Sequence, residues 1–364
     1  MSQTSNRKFK IAYFGTPDFA AEFLEKILLD TNIPVEIKMV VTQPDKPVGR
    51  KQIITKSPVK IIAEKHNLPV FDEINNECKK LLADVDFALV FAYGFKTLIP
   101  EKVLQLTKHK FGNTNSGFIN IHPSLLPKYR GATPIAYPIL LGDTETGVSI
   151  FVMDEKMDHG PLLIQEKINI PKNALRPEME QKLSNYAYEV FKKLIMNLSE
   201  DIRFGATWEV HSEASTPFGA EKRDIELKIQ EHVKATHARF MTKQDGFIPL
   251  SVLQKTLNNE PLTIEEVPAI LKEYIEKNNL IENSSKLIFN LFRGLYPWPG
   301  IWTQFQLRHL HRNNKLRWLD GERLKRLKIT EMELFNNKLV IKKVQLEGKN
   351  EVDFETFQKA YMIF

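Results

Sequence analysis

Two residues that could do chemistry, Asn120 and His122, stand two positions apart in the stretch Phe118–Pro134 (FINIHPSLLPKYRGATP). The apolar residues around them predict a strand, and in a strand both side chains leave the same face of the sheet. Pro123 and Pro127 then restrict the loop that follows. An amide can donate to an oxyanion, and a histidine can donate to it or accept a proton. A histidine on an apolar strand is more often a core residue, but the amide partner and the restricted loop favour a site.

A third polar side chain, Asp158, precedes His159 and Gly160 just beyond a predicted strand. Clefts of open α/β sheets lie at the ends of strands, so this carboxylate could orient His122 or stabilise its charge. A carboxylate that only caps a turn is an equal alternative for Asp158 taken alone. The three residues have no obvious activated Ser or Cys among them, which indicates direct acyl transfer to an amine rather than a covalent intermediate on the enzyme.

The elements that must position these residues alternate between strand and helix patterns. Nearly continuous apolar runs predict strands buried on both faces, which is typical of a parallel sheet covered by helices. The sequence therefore predicts an α/β fold with a doubly wound, mostly parallel sheet. At the first helix, Thr16 suits the N-cap and Pro17 suits the first helical position. The predicted strands are Lys10–Phe14, Val35–Thr42, Asp86–Ala92, Gly117–Ile121, Val148–Met153 and Leu162–Ile168, and the predicted helices are Asp18–Asp30, Ser57–His66 and Met179–Ser199.

A second, smaller domain is predicted beyond a polar segment of mixed composition. We expect a catalytic domain over residues 1–205, a linker over 206–234 and a second domain over 235–364. Short strand-like runs separated by basic turns favour a small C-terminal β-barrel. Its predicted elements are helices at Glu265–Lys277 and Ser284–Phe292, the block Tyr296–Gly300 (YPWPG), and strands at Ile301–Leu307, Arg326–Leu334 and Lys338–Gln345.

Composition and charge limit the classes of protein that this chain can be. A length of 364 residues with 42% hydrophobic residues suits two folded domains and excludes a disordered or fibrous chain. Leu307–Asn350 contains twelve Lys or Arg against five Asp or Glu, a local charge of +7 in a chain of net charge +6. This clustering favours a nucleic-acid surface over an ordinary lysine-rich one. One cysteine excludes an internal disulfide, and the polar N-terminus without a signal-peptide core predicts a cytoplasmic protein without membrane association.

A nucleotide cofactor is not indicated by the sequence. Gly15-Thr16-Pro17-Asp18-Phe19 occupies the place of a dinucleotide fingerprint but lacks the second and third glycines of G-x-G-x-x-G. The close backbone approach to a pyrophosphate is therefore not provided for. P-loop, kinase and metal-ligand spacings are likewise missing from the sequence, so we expect no bound metal.

Several motifs together resemble the folate-dependent formyltransferases. The strand-borne Asn-x-His pair, the block Ser124–Pro127 (SLLP), the pair Arg130-Gly131 and the later Asp158 carry this resemblance. Further blocks are similar to the methionyl-tRNA formyltransferase family within that superfamily. They are Phe14–Ala20 (FGTPDFA), Thr42–Arg50 (TQPDKPVGR), Ser57–Lys60 (SPVK) and Ala92–Gly94 (AYG). The resemblance is close across Lys10–Ile170 and weaker towards the end of the chain.

The resemblance implies more than spacing shows. It implies a formyltransferase domain joined to a C-terminal barrel of OB type, with 10-formyltetrahydrofolate as donor and initiator methionyl-tRNA as acceptor. We also expect a monomer. In this resemblance, Gln43–Lys56 is a basic loop that enters the acceptor arm of the tRNA. The residues that it assigns are Asn120, His122 and Asp158 for catalysis, Ser124, Leu125, Leu126, Pro127, Phe91, Ala92, Tyr93 and Gly94 for folate binding, and Arg50, Lys51 and Lys56 for tRNA binding.

Two other functions stay open at this point. A sugar-nucleotide formyltransferase would share the catalytic trio and the SLLP block but would lack the loop Gln43–Lys56 and would not need the basic second domain. Pro123, which stands where a glycine or alanine is common in the closest relatives, slightly favours this alternative. A non-catalytic RNA-binding protein on the same scaffold is the other possibility, and the intact trio argues against it.

Overall fold

A computed structural model describes residues 8–49, 51–92, 94, 98–203, 227–278, 283–306, 308–310, 316–318 and 324–361. The chain forms two compact units, each built from separate stretches. Unit one consists of Met1–Pro134, Thr146–Asn169 and Glu180–Ala238, and unit two of Ile135–Glu145, Ile170–Met179 and Arg239–Phe364. Most of the expected linker, 206–226, lies outside the described residues, whereas its last part, 227–234, belongs to unit one.

The strands and helices follow the chain in this order. The strands are β1 (Phe9–Phe14), β2 (Val35–Val41), β3 (Lys46–Val48), β4 (Ile53–Thr55), β5 (Val70–Phe71), β6 (Phe87–Phe91), β7 (Phe118–His122), β8 (Arg130–Gly131), β9 (Glu145–Val152), β10 (Leu162–Asn169), β11 (His237–Ala238), β12 (Ile301–Gln306), β13 (Arg308–Leu310), β14 (Leu316–Trp318), β15 (Leu324–Phe335), β16 (Lys338–Leu346) and β17 (Glu351–Asp353). The helices are α1 (Asp18–Leu29), α2 (Pro58–Lys65), α3 (Asn76–Leu82), α4 (Glu101–Leu104), α5 (Ala136–Leu141), α6 (Arg176–Arg203), α7 (Leu250–Leu257), α8 (Ala269–Asn278), α9 (Ser284–Leu295) and α10 (Phe354–Tyr361).

Unit one is built around a seven-stranded sheet of order β10-β9-β7-β6-β1-β2-β5. The pairs β5–β2, β2–β1, β1–β6 and β6–β7 are parallel, and β9 joins β7 antiparallel. Every residue of β6 is buried, as expected for a strand covered on both faces. The predicted mostly parallel α/β fold is confirmed, and the carboxyl ends of β1, β2, β6 and β7 share one edge.

Helix α1 begins one residue later than its cap pattern predicts. Pro17 occupies the cap position, with no side-chain cap, so the assignment of Thr16 as N-cap was wrong. The Thr16 hydroxyl instead accepts a hydrogen bond of 3.4 Å from the Gln43 backbone N–H, between the ends of β1 and β2. The predicted arrangement of a hydroxyl cap followed by proline occurs at α2, where Ser57 accepts from the Lys60 N–H at 3.0 Å and Pro58 opens the helix.

The basic loop expected at Gln43–Lys56 contains regular structure. Strands β3 and β4 pair antiparallel as a hairpin, with Lys46 opposite Thr55 and Val48 opposite Ile53. All six residues of the two strands are exposed. Because neither face of this hairpin is buried, its sequence lacks the alternation of apolar and polar residues that marks most strands.

Unit two contains a four-stranded antiparallel sheet of order β12-β15-β16-β17. Helix α9, almost wholly buried, packs against α5, β15 and β16. The predicted helix Glu265–Lys277 is divided at Pro268 into a short 3-10 turn, Ile264–Glu266, and α8. The Arg176 guanidinium donates to the carbonyls of Tyr296 and Trp298, which fixes the Pro-Trp-Pro block within this unit. The small β domain expected at the C-terminus is thus present as an antiparallel sheet.

Within the described part of the chain, no helix is both long enough and apolar enough to cross a membrane.

Candidate active site at the end of strand β7

The end of β7 presents two of the three predicted catalytic side chains. Asn120 lies opposite Val90 of β6 and Phe151 of β9, and His122, the last residue of β7, lies opposite Ser149. Asn120 is half-buried, whereas only 4% of His122 is exposed. The spacing of two residues places both on one face of the sheet, as the sequence predicted.

Both ring nitrogens of His122 face acceptors. Nε2 lies 2.9 Å from the carbonyl oxygen of Tyr129, and Nδ1 lies 3.7 Å from Oδ2 of Asp158. Because a carbonyl oxygen only accepts, the Nε2 of His122 must carry the proton of that hydrogen bond. The distance to Asp158 is that of an ion pair rather than of a formed hydrogen bond. A doubly protonated ring would therefore have an acceptor for each of its N–H groups.

Asp158 reaches His122 from a turn with unusual backbone geometry. Its φ is +49°, in the left-handed region, which Asp tolerates better than most residues. Its Oδ2 also accepts a hydrogen bond of 2.7 Å from the N–H of Gly131 in β8. Gly131 has a φ of +116°, and a Cβ at this position would lie 2.7 Å from the Ala238 carbonyl oxygen, so the position requires glycine. One carboxylate oxygen thus contacts both β8 and the histidine.

The block Ser124–Pro127 is held by hydrogen bonds with Lys128 and with Ser149 of β9. The Ser124 hydroxyl is fully buried and donates to the carbonyl of Lys128 at 2.7 Å. The Leu126 N–H donates to the Ser149 hydroxyl at 3.1 Å, and the Ser149 hydroxyl donates to the Ser124 carbonyl at 2.7 Å. Leu125 and Pro127 are half-buried. The Ser124 side chain therefore shapes the loop, and the side chains that this block can offer a ligand are those of Leu125 and Pro127.

Among the described residues at the end of β6, the Phe91 side chain is buried in the core, so a ligand could contact only Ala92 and Gly94. Phe91 is buried and packs against Phe19 and Phe23, with ring centroids 5.4 and 5.0 Å apart. Ala92 and Gly94 have φ values of +50° and +68°, and the Gly94 carbonyl accepts a hydrogen bond from the Gln43 side chain. Tyr93, another expected folate residue, lies outside the described residues. Phe91 can thus affect a ligand only by supporting Ala92 and Gly94.

A cavity of about 300 Å³ lies beside the loop that carries Asp158. Polar groups and a few apolar side chains line it, including Gln105, Asn115, Met153 and His159. The His159 Nδ1 lies 2.6 Å from Oδ2 of Asp154. This cavity can accept a planar, polar ring, because hydrogen-bonding groups and the flexible Met153 occur on its wall.

Arg130, which belongs to a motif of the sequence, contacts His232, which sequence reasoning did not place in the site. The His232 ring stacks on His159 with centroids 4.1 Å apart and an interplanar angle of 2°. Its Nδ1 lies 2.8 Å from Nη2 of Arg130, so this nitrogen accepts and the ring is neutral. Partial desolvation lowers the pKa of His232, and nearby His159 and Arg130 lower it further. His232 is exposed, and it nevertheless belongs to this network with His159 and Arg130.

The residues expected to bind tRNA lie on or beside the β3–β4 hairpin. Lys51 is exposed in its turn, and Lys56 follows β4 and pairs with Glu64 at 2.7 Å. This hydrogen bond with Glu64 raises the pKa of Lys56. Arg50 lies outside the described residues. Lys51 and Lys56 are therefore both exposed, one in the turn of the hairpin and the other directly after its second strand.

Among the described residues, no group of three or more His, Cys, Asp or Glu is arranged to hold a metal ion.

Comparison with known proteins yields a family match and several relatives. A formyl transferase profile matches residues 8–195. A methionyl-tRNA formyltransferase of Caldicellulosiruptor saccharolyticus is 30% identical over 97% of both chains. A methionyl-tRNA formyltransferase of Thermotoga neapolitana is 35% identical, over 69% of this chain and 71% of the relative. A solved 4-N formyltransferase of Francisella tularensis superposes with a TM-score of 0.51 at 15% identity, over 85% of this chain and 96% of the other, which shows a shared fold.

Proposed function

The chain belongs to the methionyl-tRNA formyltransferase family, and we propose that Asn120, His122 and Asp158 are the residues with which it formylates initiator methionyl-tRNA. Formyltetrahydrofolate is the formyl donor of this family, and we take 10-formyltetrahydrofolate as the form used. The observation that carries the assignment of residues is the placement of His122 between the Tyr129 carbonyl and the Asp158 carboxylate, on the strand that bears Asn120.

The reaction needs one new bond and one broken bond. The methionine amino nitrogen attacks the formyl carbon, the carbonyl oxygen becomes an oxyanion, and the bond from the formyl carbon to the folate nitrogen breaks. One proton leaves the attacking amine, and one proton reaches the departing folate nitrogen. An α-amino group has a pKa of roughly 7.7–8.0, so about a tenth or more of it is already unprotonated at pH 7 and the cost of removing its proton is small. Positioning and stabilisation of the oxyanion then limit the rate.

Each member of the trio has a distinct role in this scheme. The half-buried Asn120 amide can donate to the oxyanion. His122, with a carbonyl at one ring nitrogen and a carboxylate near the other, carries or transfers the proton next to Asn120. Asp158 orients the ring of His122 and compensates its positive charge when it is protonated. Because His122 is buried, its interactions with the Tyr129 carbonyl and the Asp158 carboxylate are stronger than they would be in water.

We propose that three segments of unit one hold the donor. They are the backbone of Ala92 and Gly94, the half-buried Leu125 and Pro127, and the cavity beside Met153. The mixed polar and apolar lining of this cavity suits a pterin ring, which combines a flat surface with several hydrogen-bonding atoms.

The tRNA would be bound by exposed cations. Lys51 on the hairpin is one, and the basic strands of unit two offer more. There, Lys342 and Lys343 already pair with Glu333 and Glu331 at 2.7 and 3.0 Å. Arg326 instead lies over the Trp302 ring, 5.9 Å from its centroid, in an arrangement that also suits stacking against a base. We propose that the enzyme acts as a monomer in the cytoplasm, where charged initiator tRNA occurs.

The test is transfer of radiolabelled formyl from 10-formyltetrahydrofolate to methionine charged on initiator tRNA. A parallel reaction offers an amino-sugar nucleotide as acceptor. We expect label in methionyl-tRNA and none in the sugar. Label in the sugar alone would retain the chemistry of Asn120 and His122 but overturn the assignment of the acceptor.

A further inference from the structure

The segment 227–238, here called the strap, contacts the start of β10, the turn that carries Asp158 and the segment after β7, all within unit one. Its backbone pairs with Leu162 through Lys228, at 2.8 and 2.9 Å. Further along, the Arg130 N–H donates to the Thr236 carbonyl at 2.8 Å, and the Ala132 N–H donates to the Ala238 carbonyl at 2.8 Å. The strap thus contacts the first residue of β10 and the segment around β8 with one continuous stretch of chain.

Gln230 of the strap holds the turn that presents Asp158. Its side chain is 97% buried, since only 3% is exposed. Its Nε2 donates to the carbonyls of Asp158 at 3.0 Å and Gly160 at 2.7 Å, and its Oε1 accepts from Nη2 of Arg130 at 2.6 Å. Left-handed backbone at a residue other than glycine persists where surrounding contacts determine it. These two donated hydrogen bonds are such contacts for Asp158.

Thr236 of the strap holds the other partner of His122. Tyr129, whose carbonyl accepts from the His122 ring, also has a left-handed φ, of +63°. This conformation is a clear outlier for a bulky side chain. The Thr236 hydroxyl accepts a hydrogen bond of 2.9 Å from the Tyr129 N–H, and the Thr236 N–H donates to the Pro127 carbonyl at 3.3 Å.

The two acceptors beside His122 are therefore held in the same way. Each belongs to a residue in left-handed conformation, and each of these residues is bound by one side chain of the strap. We propose that Gln230 and Thr236 are positioning residues, which fix the Asp158 carboxylate and the Tyr129 carbonyl on either side of the His122 ring. This inference rests on the proposed role of His122. Neither side chain needs to touch a substrate.

Two substitutions test the proposal without removing the strap. Gln230→Glu keeps an acceptor for Arg130 but loses both donors to the turn 158–160. Thr236→Val keeps the shape and the backbone contacts but removes the acceptor for the Tyr129 N–H. We expect each to lower kcat roughly 10–100-fold, because small displacements of reacting groups have effects of this size. KM for the folate donor and for methionyl-tRNA should change less than about threefold, since the binding residues are intact.

Two further variants separate positioning from general stability. Thr236→Ser retains the hydroxyl and should restore kcat to near the wild-type value. Thr256→Val is the matched control, because Thr256 is a fully buried threonine of unit two whose hydroxyl donates to the Val252 carbonyl at 2.8 Å. It should lower the unfolding temperature about as much as Thr236→Val does and leave kcat unchanged.

The NMR signals of the His122 ring distinguish positioning from a purely stabilising role, because loss of stability alone would leave them unchanged. They are assigned by their loss in His122→Gln. We expect the nitrogen shifts of the ring to change in Gln230→Glu and Thr236→Val and to be unchanged in Thr256→Val. Unchanged His122 signals in both strap variants, or an equal fall in kcat for Thr256→Val, would overturn the inference. Because the ring signals are measured without turnover, this result is independent of whether methionyl-tRNA proves to be the acceptor.

Discussion

The end of β7 and the β3–β4 hairpin are the two regions to which we assign a function by proposal, and they are built in opposite ways. His122 is buried, and each of its ring nitrogens faces a specific oxygen atom. On the hairpin, all six strand residues and Lys51 are exposed, including the apolar side chains of Ile53 and Ile54. One region depends on the positions of single atoms, and the other presents charge and surface.

This difference determines how each region should respond to change. Buried hydrogen bonds act in a low dielectric, so losing one or displacing it changes the free energy by several kcal/mol. Exposed cations are screened over about 8 Å at physiological ionic strength, so each contributes little and depends on salt. The first region should show large effects that salt does not modify, and the second should show small, roughly additive effects that it does.

The largest effect is expected at Asn120. Asn120→Ala removes the amide that would donate to the oxyanion and should lower kcat about 10²–10³-fold. The fold should persist, because this side chain is only half-buried and the strand pairing of Asn120 involves its backbone. Steady-state kinetics together with circular dichroism provides the measurement. A variant with near wild-type kcat would remove Asn120 from the mechanism.

A smaller effect is expected at Asp158. Asp158→Asn keeps the left-handed conformation, which Asn also tolerates, and keeps an acceptor for the Gly131 N–H. It removes the charge 3.7 Å from His122, and we expect kcat to fall about 10²-fold, at the lower end of general acid–base contributions. Asp154→Asn is the matched control, because that carboxylate pairs with His159 instead. Equal losses in the two variants would show that charge in this loop, rather than its contact with His122, is what the reaction needs.

The sequence predicted Asn120 and His122 as site residues because an amide and an imidazole two positions apart in a strand share one face of the sheet. The apolar residues around them indicated the strand, and the two prolines that follow indicated where it ends. The strap residues could not be found in this way. Gln230 and Thr236 lie about a hundred positions from the loop after β7, and their contacts arise only when the chain closes on itself. Buried Gln and Thr have no pattern that distinguishes them from other polar residues.

The preference of a single residue for the N-cap position also failed to predict the start of the first helix. Ser57-Pro58 and Thr16-Pro17 look alike as helix starts, but only Ser57 caps its helix. Thr16 lies two residues after the end of β1, and its hydroxyl instead accepts from the Gln43 N–H, two residues after the end of the neighbouring β2. Tertiary contact at the edge of the sheet prevailed over the cap preference of a single residue.

On the hairpin, Lys51→Ala should affect tRNA and little else. We expect KM for methionyl-tRNA to rise a few-fold and kcat to be preserved, since an exposed cation contributes mainly through phosphate contacts. The slope of log KM against log salt should decrease by about one phosphate contact. Lys38→Ala, on the exposed side of β2, serves as the control. A salt slope identical to that of the wild type would show that Lys51 does not approach the nucleic acid.

The smallest effect is expected at His232, which combines features of both regions because it is exposed and yet contacts Arg130 through Nδ1. Its lowered pKa, due first to partial desolvation and then to His159 and Arg130, means that the folded chain takes up this proton less readily than the unfolded chain. As pH falls below the ordinary value of 6.5, the unfolded state binds the proton first, so the folded state loses stability through that range and keeps its advantage above it.

His232→Asn removes this titration while leaving a polar side chain beside Arg130. Urea unfolding at pH 7.5 and at pH 5 should therefore show a smaller loss of stability on acidification for the variant than for the wild type, with the two similar at the higher pH. If the effect arises from contact with Arg130 and His159, added salt should reduce it only partly, whereas the contribution of Lys51 to tRNA binding should be strongly weakened by salt. Equal acid sensitivity in the variant and the wild type would show that His232 titrates like the exposed charges of the hairpin. Its contacts with Arg130 and His159 would then have no effect on its protonation.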